Sequence, residues 1–466
     1  MSGAIADPGS FRDPGGRVYH LGDKVLRTIT ELAAADFEFV QASGLIERLT
    51  ADGRLIAGQL VSADRLGENG KHARFVVEHP RLPFISYPYE WPFPALKAAA
   101  LLHLGIQLDA LDAGVSLSDA SAYNIQFQGV RPLFIDLLSF RRYHAGELWT
   151  GHRQFCEQFL NPLLLRSELG VAANSWYRGC QEGIGATDLR RLLPWRSKLS
   201  RNILLHVVAQ SALQASSGST DLTRSAVAES GLPLSSYRRM LTKLRDWIER
   251  LEPADTGKTV WRDYVTSHGY SEDEAAAKRS FIAGFVAAAK PKMLWDLGCN
   301  TGDYAELALA KGAGQVVGFD FDHGALEVAF ARAAAGSLDF LPLFLDGANP
   351  SPDQGWAGLE RKSLSARANA DAVIALAYAH HLAIGRNIPL GDLLVWLTDL
   401  APEGVVEFVP KQDPMVRRLL ALRDDIFPDY REEYFLTRLG ELCDIVQTQT
   451  ITRSGRKLVH FRRRRN

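Results

Sequence analysis

The sequence has little of what marks secreted, membrane-spanning or nucleic-acid-binding proteins. It has only four cysteines in 466 residues, and their wide separation indicates a reducing compartment and argues against a disulfide framework or a metal-like spacing. The formal net charge is −1, so no overall positive field indicates nucleic acid as a partner. No apolar run approaches the ~20 residues that a membrane-spanning helix needs. The cysteines are Cys156, Cys180, Cys299 and Cys443.

The two ends of the sequence also lack targeting signals. Residues 1–14 are rich in Gly, Pro and Asp and show no signal-peptide layout, so we expect a disordered tail there. The arginine run at 462–465 favours a solvated tail over an anchor to anionic lipid. These absences predict a cytoplasmic protein without a transmembrane segment. At roughly 150 residues per domain, the length predicts two or three globular domains.

The most informative stretch is residues 293–302, Met-Leu-Trp-Asp-Leu-Gly-Cys-Asn-Thr-Gly. An apolar run ends at Asp296, a glycine-bearing loop follows, and a helical pattern covers Tyr304 to Lys311. Gly298 and Gly302 lack a Cβ, so the backbone can approach a ligand closely there. The free N–H groups of the helix start point into the same space. The stretch therefore predicts a strand, a turn and a helix, with Asp296 where open α/β sheets bind ligands.

Further strands are predicted downstream. Residues 315–320 end in Asp320, close to the ~20-residue spacing at which a doubly wound sheet places a carboxylate on a ribose diol. Helical stretches separate the later strands. An antiparallel hairpin, with Arg453-Ser-Gly-Arg456 between its strands, is expected to close the sheet. The other predicted strands are 338–345, 370–375 and 405–409, and the hairpin strands are 445–451 and 458–463.

The loop from Asp296 to Gly302 resembles the Asp-x-Gly-x-x-x-Gly cofactor motif of the class I S-adenosylmethionine-dependent methyltransferases. The resemblance covers roughly residues 259–466 and implies an α/β Rossmann-like domain, with a seven-stranded mixed sheet and helices on both faces. A nicotinamide-type dinucleotide site is disfavoured, because such a site has the pattern Gly-x-Gly-x-x-Gly, whereas here the second glycine follows the first by four residues.

The resemblance also implies roles for individual residues. Gly298 and Gly302 would border the methionine end of S-adenosylmethionine, and Asp296 would hold its ammonium group. Asp320 would accept hydrogen bonds from the ribose hydroxyls, and Asp346 would accept one from the adenine amino group. The remaining residues of the implied cofactor site are Asn300, Phe321 and Gly347. Trp261 or Tyr264 could also touch the cofactor, although plain core packing is the favoured interpretation of both.

The methyl acceptor is expected beyond the fourth and fifth strands. Methyl transfer needs an aligned acceptor atom and, where a proton must leave, a base. We favour His380 or His381 as that base, because an unperturbed imidazole titrates near neutral pH. The alternative is that one histidine caps a helix and the other lies on the surface. The other candidates for the acceptor pocket are Tyr378, Glu407, Lys411, Trp356 and Arg361.

The first 80 residues predict a small α+β lobe. A Gly-Asp pair inside an alternating pattern predicts a hairpin at 18–30, and apolar periodicity predicts a helix at 31–49. A strand pair is predicted at 55–61 and 74–78. A proline-rich stretch at 84–94 precedes a helix at 95–113 that is apolar nearly all round and should be buried.

Asp119, Asn124 and Asp136 resemble the catalytic loop of protein kinases and aminoglycoside-type phosphotransferases. The resemblance implies that Asp119 accepts a proton from a substrate hydroxyl, and that Asn124 and Asp136 hold Mg²⁺ with ATP. The sequence departs from that pattern in three ways. Leu-Leu follows Asp136, no glycine-rich phosphate loop is visible, and Arg27 or Lys24 stands where the family has a strand lysine. A kinase-like fold is therefore favoured over kinase activity, and turn or cap roles remain the alternative for Asp119 and Asn124.

These patterns predict an S-adenosylmethionine-dependent methyltransferase joined to an α+β kinase-like domain. The arrangement resembles bacterial nodulation-protein-related methyltransferases, which implies a small-molecule, glycan, glycolipid or envelope acceptor. The alternatives are a bifunctional kinase–methyltransferase acting on a glycan end and a catalytically silent binding protein. The sequence leaves the acceptor and the oligomeric state open. The expected domains are a kinase-like domain at 15–215 (small lobe 15–83, helical lobe 84–215), a linker with a helical hairpin at 216–258, and the methyltransferase domain at 259–466.

Overall fold

The computed structural model describes residues 3–147, 149–211, 233–255, 270–421 and 423–464. Residues 216–232 and 256–258 of the expected linker and hairpin, and Trp261 and Tyr264, lie outside the described residues. The chain forms two compact units. The N-terminal unit comprises Met1–Phe127, Arg131–Thr256 and Asp353–Lys362, and the C-terminal unit comprises Gln128–Val130, Gly257–Pro352 and Ser363–Asn466.

The N-terminal unit contains a five-stranded sheet in which every pairing is antiparallel, in the order β1-β2-β3-β5-β4. Two small two-stranded sheets, β6-β9 and β7-β8, accompany it. The strands are β1 (Ile5–Ala6), β2 (Val18–Leu21), β3 (Lys24–Ile29), β4 (Gln59–Val61), β5 (Phe75–Pro80), β6 (Val115–Leu117), β7 (Ile125–Gln128), β8 (Arg131–Phe134) and β9 (Phe140–Arg142).

The β2–β3 hairpin confirms the prediction for residues 18–30. Leu21 pairs with Lys24, so Gly22 and Asp23 form the two-residue loop that the Gly-Asp pair indicated. The strand at the chain's start differs from the disordered tail predicted for residues 1–14. β1 pairs with β2, and the Asp7 carboxylate accepts a hydrogen bond from the Gly9 N–H and contacts His20 Nε2 at 2.8 Å. The pairing of β1 with β2 and the contact of Asp7 with His20 join residues more than ten positions apart, which composition does not show.

Helices make up most of the rest of the N-terminal unit. The helix predicted at 31–49 is two helices, because Gly44 adopts a left-handed conformation between them. The buried helix predicted at 95–113 is confirmed as Phe93–Asp112. Two short π-helical segments, Cys156–Leu160 and Leu204–Val208, were not predicted. The α-helices are Glu31–Ala42, Leu45–Ala51, Phe93–Asp112, His152–Phe155, Asn161–Leu169, Asn174–Gly179, Ala186–Leu192, Arg201–Ile203 and Leu234–Glu249.

The segment Asp353–Lys362 belongs to the N-terminal unit, although it follows a strand of the C-terminal unit. Arg12 Nε donates to Glu360 Oε1 at 2.5 Å, and the Lys362 N–H donates to Tyr87 Oη at 2.9 Å. Trp356 and Arg361, which we expected to line an acceptor pocket, are in this segment. Their neighbours here are residues of the N-terminal unit, which sequence position alone does not show.

The C-terminal unit is built on a seven-stranded mixed sheet in the order β12-β11-β10-β13-β14-β16-β15, which confirms the predicted sheet. The five strands β10 to β14 pair in parallel, and β16 pairs antiparallel with both β14 and β15. The strands are β10 (Met293–Leu297), β11 (Gln315–Asp320), β12 (Phe340–Phe344), β13 (Ala372–Ala375), β14 (Glu403–Phe408), β15 (Cys443–Thr450) and β16 (Lys457–Arg463).

Both faces of the central strands are covered. Every residue of β10 is buried, as a parallel strand requires when crossover helices pack on both sides. One hydrophobic cluster joins strand residues to the helix before β10 and the helix after β11, with Leu294, Val316 and Phe340 in one cluster with Ile282 and Leu326. The helices are Glu272–Ala289, Asp303–Ala310, His323–Gly336, Ala379–Ala383, Leu390–Leu400, Pro414–Leu420 and Glu432–Leu442.

The strand order reverses at β10, which lies between β11 and β13. At such a point the crossover connections leave in opposite directions, so a crevice opens at the carboxyl ends of the two strands. The loops after β10, β11, β12 and β13 all meet at this edge. Among the described residues, no helix combines the length and the apolar composition needed to cross a lipid bilayer.

Candidate functional site

The loop after β10 folds over the end of β11. The N–H groups of Gly298 and Cys299 donate to Phe319 O at 2.8 and 3.0 Å, and Gly298 and Gly302 have φ of +78° and +85°. A Cβ on Gly302 would lie 2.6 Å from the Phe340 ring. Glycine at 302 is therefore required both by the backbone conformation and by the packing beneath the loop.

Tyr378, three residues beyond β13, lies across two of the predicted cofactor glycines. A Cβ on Gly298 would be 3.1 Å from the Tyr378 ring, and a Cβ on Gly347 would be 1.8 Å from Tyr378 Oη. That hydroxyl is buried and has no hydrogen-bond partner among the described residues. The sequence placed Tyr378 with the acceptor, whereas the structure places it beside Gly298 and Gly347, two glycines of the predicted cofactor site.

Asp320, the last residue of β11, holds two loops together. One carboxylate oxygen accepts the Asn300 N–H at 2.8 Å, and the other accepts the Asp322 N–H at 2.8 Å. Burial raises the pKa of Asp320 to about 6, although both hydrogen bonds lower it. Asn300 itself takes a left-handed conformation with φ of +47°. Asp320 and Asn300 therefore shape the loop, and each carboxylate oxygen of Asp320 keeps a second lone pair for a ligand.

The predicted residues after β12 lie nearer the solvent. Asp346 accepts the Ala348 N–H at 3.1 Å and pairs with Arg386 at 2.8 Å. Phe321 is exposed, and its ring is 5.9 Å from the Arg386 guanidinium carbon. Arg386 thus contacts two residues of the predicted cofactor site, a connection that the sequence did not show.

Asp296 is the unusual group at this edge. It is only 2% exposed, and its Oδ2 has no hydrogen-bond partner among the described residues. Burial and the nearby Asp320 carboxylate raise the pKa of Asp296 to about 8. A buried carboxyl oxygen without a partner is costly. A cationic ligand group at this position would remove that cost.

The two predicted bases lie in different surroundings. His380 is fully buried, and neither of its ring nitrogens has a hydrogen-bond partner among the described residues. Burial holds the pKa of His380 well below its usual value and lowers that of His381 to about 4. The ring centroids are 4.1 Å apart. His381 is half-buried, so it is the more accessible imidazole of the pair.

Glu407 and Lys411, the other two acceptor candidates, are both engaged. Glu407 is fully buried at the end of β14 and accepts hydrogen bonds from Lys278 Nζ at 2.7 Å, Tyr270 Oη at 2.7 Å and the Ala377 N–H at 2.8 Å. Lys411 donates to both carboxylate oxygens of a neighbouring aspartate and to a backbone carbonyl. Neither side chain is free to hold an acceptor.

Arg456 extends the buried cluster around Glu407. It donates to both carboxylate oxygens of Asp413, at 2.7 and 2.9 Å, and to Tyr270 Oη at 2.5 Å. Burial raises the pKa of Glu407, but Lys278 and Arg456 more than offset this and hold it below its usual value. Glu407 is therefore ionised inside the core and fixes the backbone at Ala377, the residue before Tyr378. The sequence reasoning missed this cluster, because Lys278 is far from Glu407 along the chain.

In the N-terminal unit the structure brings Asp119, Asn124 and Asp136 together. Asn124 Nδ2 donates to Asp119 Oδ1 at 3.2 Å, and Ser139 Oγ lies 2.7 Å from Asp119 Oδ1 and 2.5 Å from Asp136 Oδ2. Burial and the Asp136 charge raise the pKa of Asp119 to about 6. Arg27, one of the two candidates for the strand cation, reaches Asp136 Oδ1 at 2.6 Å. Ser139 was missed by the sequence reasoning.

The four cysteines do not pair with one another, and all of them are free. The sequence showed no metal-like spacing of the cysteines, but the structure shows a metal-type group around one of them. Cys156 lies with His152 and His206 in a group whose ligand-type atoms are all within 4.8 Å of one another. The spacing of cysteines alone could not reveal this group, because two of its members are histidines and one lies on another segment.

The chain is 47% identical over 461 residues to nodulation protein NoeA from Rhizobium meliloti (strain 1021), a match that covers 98% of this chain and 95% of that protein. No protein-family model matches the chain.

Similarity to solved structures is weak. The methyltransferase domain of bacterial CtHen1-C is 17% identical, with a TM-score of 0.29 over 40% of this chain and 96% of that chain. WbdD is 20% identical, with a TM-score of 0.28 over 41% of this chain and 39% of that chain.

Proposed function

The chain belongs to the family of nodulation protein NoeA, and we propose that it is an S-adenosylmethionine-dependent methyltransferase whose cofactor site lies in the C-terminal unit. The observation that carries the proposal is the buried Asp296 carboxyl, with an unpartnered oxygen, beside the glycine loop at the point where the strand order reverses. The motif in that loop and the seven-stranded mixed sheet support the same function.

The residues present fit the proposed cofactor. Asp296 would hold its ammonium group, and Gly298 and Gly302 would let the chain lie against its methionine end. Asp320 has lone pairs left for the ribose hydroxyls, and Asp346 would accept a hydrogen bond from the adenine amino group. When bound, S-adenosylmethionine supplies an electrophilic methyl group on a sulfonium. Tyr378 would close over the loop from the β13 side and exclude water.

Proton removal is assigned to His381 rather than His380. His380 is fully buried, and burial holds its pKa well below its usual value. A neutral His381 with a pKa of about 4 is a weak base. It suits an acceptor whose proton becomes acidic as the new bond forms. We assign His380 to packing beneath His381.

The proposed acceptor is a small molecule or glycan, including glycolipid and envelope glycans. The name of the relative, a nodulation protein, favours an acceptor used in nodulation. The balanced charge of the chain gives no reason to propose nucleic acid.

The proposal is tested by the binding of S-adenosylhomocysteine to the full chain and to Asp296→Asn. The variant keeps the size of the side chain but cannot become a carboxylate beside a cationic ligand, so we expect affinity to fall at least about tenfold, a loss of about 1.4 kcal/mol. Asp399→Asn is the matched control, because Asp399 is mostly exposed and only loosely paired with Arg463, and it should bind as the parent does. Equal affinity in parent and Asp296→Asn would overturn the site assignment.

A second candidate, a bifunctional kinase–methyltransferase with a kinase-like N-terminal unit, is favoured by the cluster at Asp119. Ser139 has a single hydroxyl hydrogen, yet its oxygen lies within hydrogen-bond distance of a carboxylate oxygen of both Asp119 and Asp136. Only one carboxylate can receive that hydrogen, so the other contact needs a proton or a cation in addition to Arg27, which already reaches Asp136 Oδ1. Mg²⁺, carried with ATP and held by Asn124 and Asp136, would supply the cation.

Calorimetry with ATP and Mg²⁺ distinguishes this second candidate. Binding that is lost in Asp136→Asn and kept in Asp23→Asn, whose carboxylate is exposed, would support it. Absence of ATP binding would contradict the bifunctional candidate and leave methyl transfer as the proposed activity. A third candidate, a silent binding protein, would bind S-adenosylhomocysteine and transfer no methyl group to any glycan acceptor offered.

A further inference from the structure

His152, Cys156 and His206 form a compact group in the N-terminal unit. His152 begins the short helix His152–Phe155, and Cys156 follows one turn later as the first residue of a π-helical segment. His206 is the central residue of the second π-helical segment, Leu204–Val208. π-Helical turns are rare and often occur at functional sites. Here two of them, from separate parts of the chain, direct ligand-type side chains to one point.

The distances suit a tetrahedral metal ion. His152 Nε2 lies 3.1 Å from His206 Nδ1 and 3.8 Å from Cys156 Sγ, and one ligand-type atom from each of the three residues lies within 4.8 Å of the other two. A tetrahedral zinc ion with nitrogen at about 2.0 Å and sulfur at about 2.3 Å separates its ligand atoms by roughly 3.3–3.6 Å. The observed separations bracket that range, so small side-chain rotations suffice to place all three atoms on one ion.

Gln210 supplies a second, independent observation. Its side-chain nitrogen lies 2.9 Å from His152 Nδ1, while its Oε1 is buried and has no hydrogen-bond partner among the described residues. The two ends of an amide are interchangeable by a half-turn. The turned amide would accept a hydrogen bond from His152 Nδ1–H, which leaves the Nε2 lone pair facing the other two ligands. A carbonyl oxygen on the second ring nitrogen is the usual support of a metal-bound histidine.

Aromatic rings fix the orientation of both imidazoles. The His206 ring stacks on Trp247 with centroids 6.1 Å apart, and the His152 ring meets Trp149 edge-on at 6.2 Å. His206 and Cys156 are buried, and His152 is half-buried. The hydrophobic shell around a metal site controls the access of solvent to the ion.

We propose that His152 Nε2, Cys156 Sγ and His206 Nδ1 bind a zinc ion, with Gln210 orienting His152. Binding releases the thiol proton of Cys156 to solvent, because the thiolate is the form that coordinates a metal. Three protein ligands leave a fourth position for water or an exogenous ligand. The ion joins the segment at 152–160 to the segment at 201–211. The inference is independent of the proposed function, since all four residues belong to the N-terminal unit.

The test uses the full chain, stripped with a chelator and titrated with Co²⁺ as a spectroscopic probe of a zinc site. We expect one ion per chain, a thiolate-to-cobalt charge-transfer band and intense visible bands of a tetrahedral centre, all displaced by Zn²⁺. Cys156→Ser should lose the charge-transfer band. His206→Gln should lose tight binding, and Gln210→Ala should weaken it about 10–100-fold. Cys180→Ser and His144→Gln are matched controls at exposed positions and should behave as the parent.

Misfolding is checked by circular dichroism of each variant before the metal is added. A folded parent that binds no Co²⁺ or Zn²⁺ would overturn the proposal. A charge-transfer band that survives in folded Cys156→Ser but disappears in Cys180→Ser would overturn it too. Selective binding of copper with exclusion of zinc would overturn the assignment of the metal.

Discussion

At the scale of single residues, the candidate cofactor site depends on a carboxyl group in an unfavourable position. Asp296 is buried beside Asp320, and the two aspartates lie at the ends of neighbouring strands. Burial and the Asp320 carboxylate both raise the cost of a negative charge on Asp296. Loop geometry alone would not need an acid at 296, so the unpartnered carboxyl indicates a ligand with a positive charge.

The titration of Asp296 gives a prediction about ligand-free stability. Its pKa is about 8 in the folded protein and about 4 when unfolded, so the unfolded state binds fewer protons between these values. This group therefore lowers stability as pH rises from about 4 to about 8. Asp296→Asn does not titrate, and we expect its melting temperature to fall less than the parent's, or rise more, between pH 5 and pH 8.

The comparison is made by thermal denaturation of both proteins without ligand. Groups that titrate equally in both, such as Glu407, cancel in the difference. An identical pH dependence for parent and variant would contradict a raised pKa at Asp296.

The fully buried cluster around Glu407 gives a second prediction at this scale. Glu407→Gln keeps the shape of the side chain but leaves the charge of Lys278 without its buried counter-ion, whereas Arg456 keeps Asp413 as its partner. We expect a loss of about 3–5 kcal/mol in the free energy of unfolding, measured with urea. Glu441→Gln, in an exposed pair with Arg438, should change it by less than about 1 kcal/mol. A loss at Glu407 no larger than that of the control would contradict the account of the cluster.

At the scale of elements, the loop after β10 owes its shape to backbone conformation and to packing beneath it. Gly302 has a positive φ, and any Cβ there meets the Phe340 ring. Gly302→Ala should therefore cost more than about 1 kcal/mol of stability. Gly284→Ala is the matched control. It lies exposed in the helix Glu272–Ala289 with nothing within 4 Å of its Cβ position, and should gain about 0.5–1 kcal/mol.

Both changes are measured by urea denaturation of the purified variants. If Gly302→Ala were neutral, or if Gly284→Ala cost as much as Gly302→Ala, the argument from the loop's conformation and packing would be wrong.

Elements of the C-terminal unit could be predicted well because their signals are local. β11 has the predicted bounds, and β10, β12, β13 and β14 begin and end within three residues of prediction. Each is an apolar run that ends near a polar residue. The break at Gly44 within the helix predicted at 31–49 was not foreseen, because an isolated glycine inside an apolar pattern does not by itself end a helix.

At the scale of the whole molecule, the features that sequence reasoning missed depend on distant residues. Asp353–Lys362 joins the N-terminal unit through contacts such as Arg12 with Glu360. The pairing of Lys278 with Glu407 and the meeting of Cys156 with His206 arise only after the chain folds. Asp119, Asn124 and Asp136 could be grouped in advance because their spacing resembles the catalytic loop of protein kinases. Their partner Ser139 could not, since serine is common and fits many local contexts.

The central claim for the whole molecule is the cofactor site. The measurement that tests it most directly is isothermal titration calorimetry of the full-length protein with S-adenosylhomocysteine. The account predicts saturable binding of one molecule per chain. A correctly folded protein that binds none would contradict the assignment of residues 296–302 and the proposed methyltransferase activity with it.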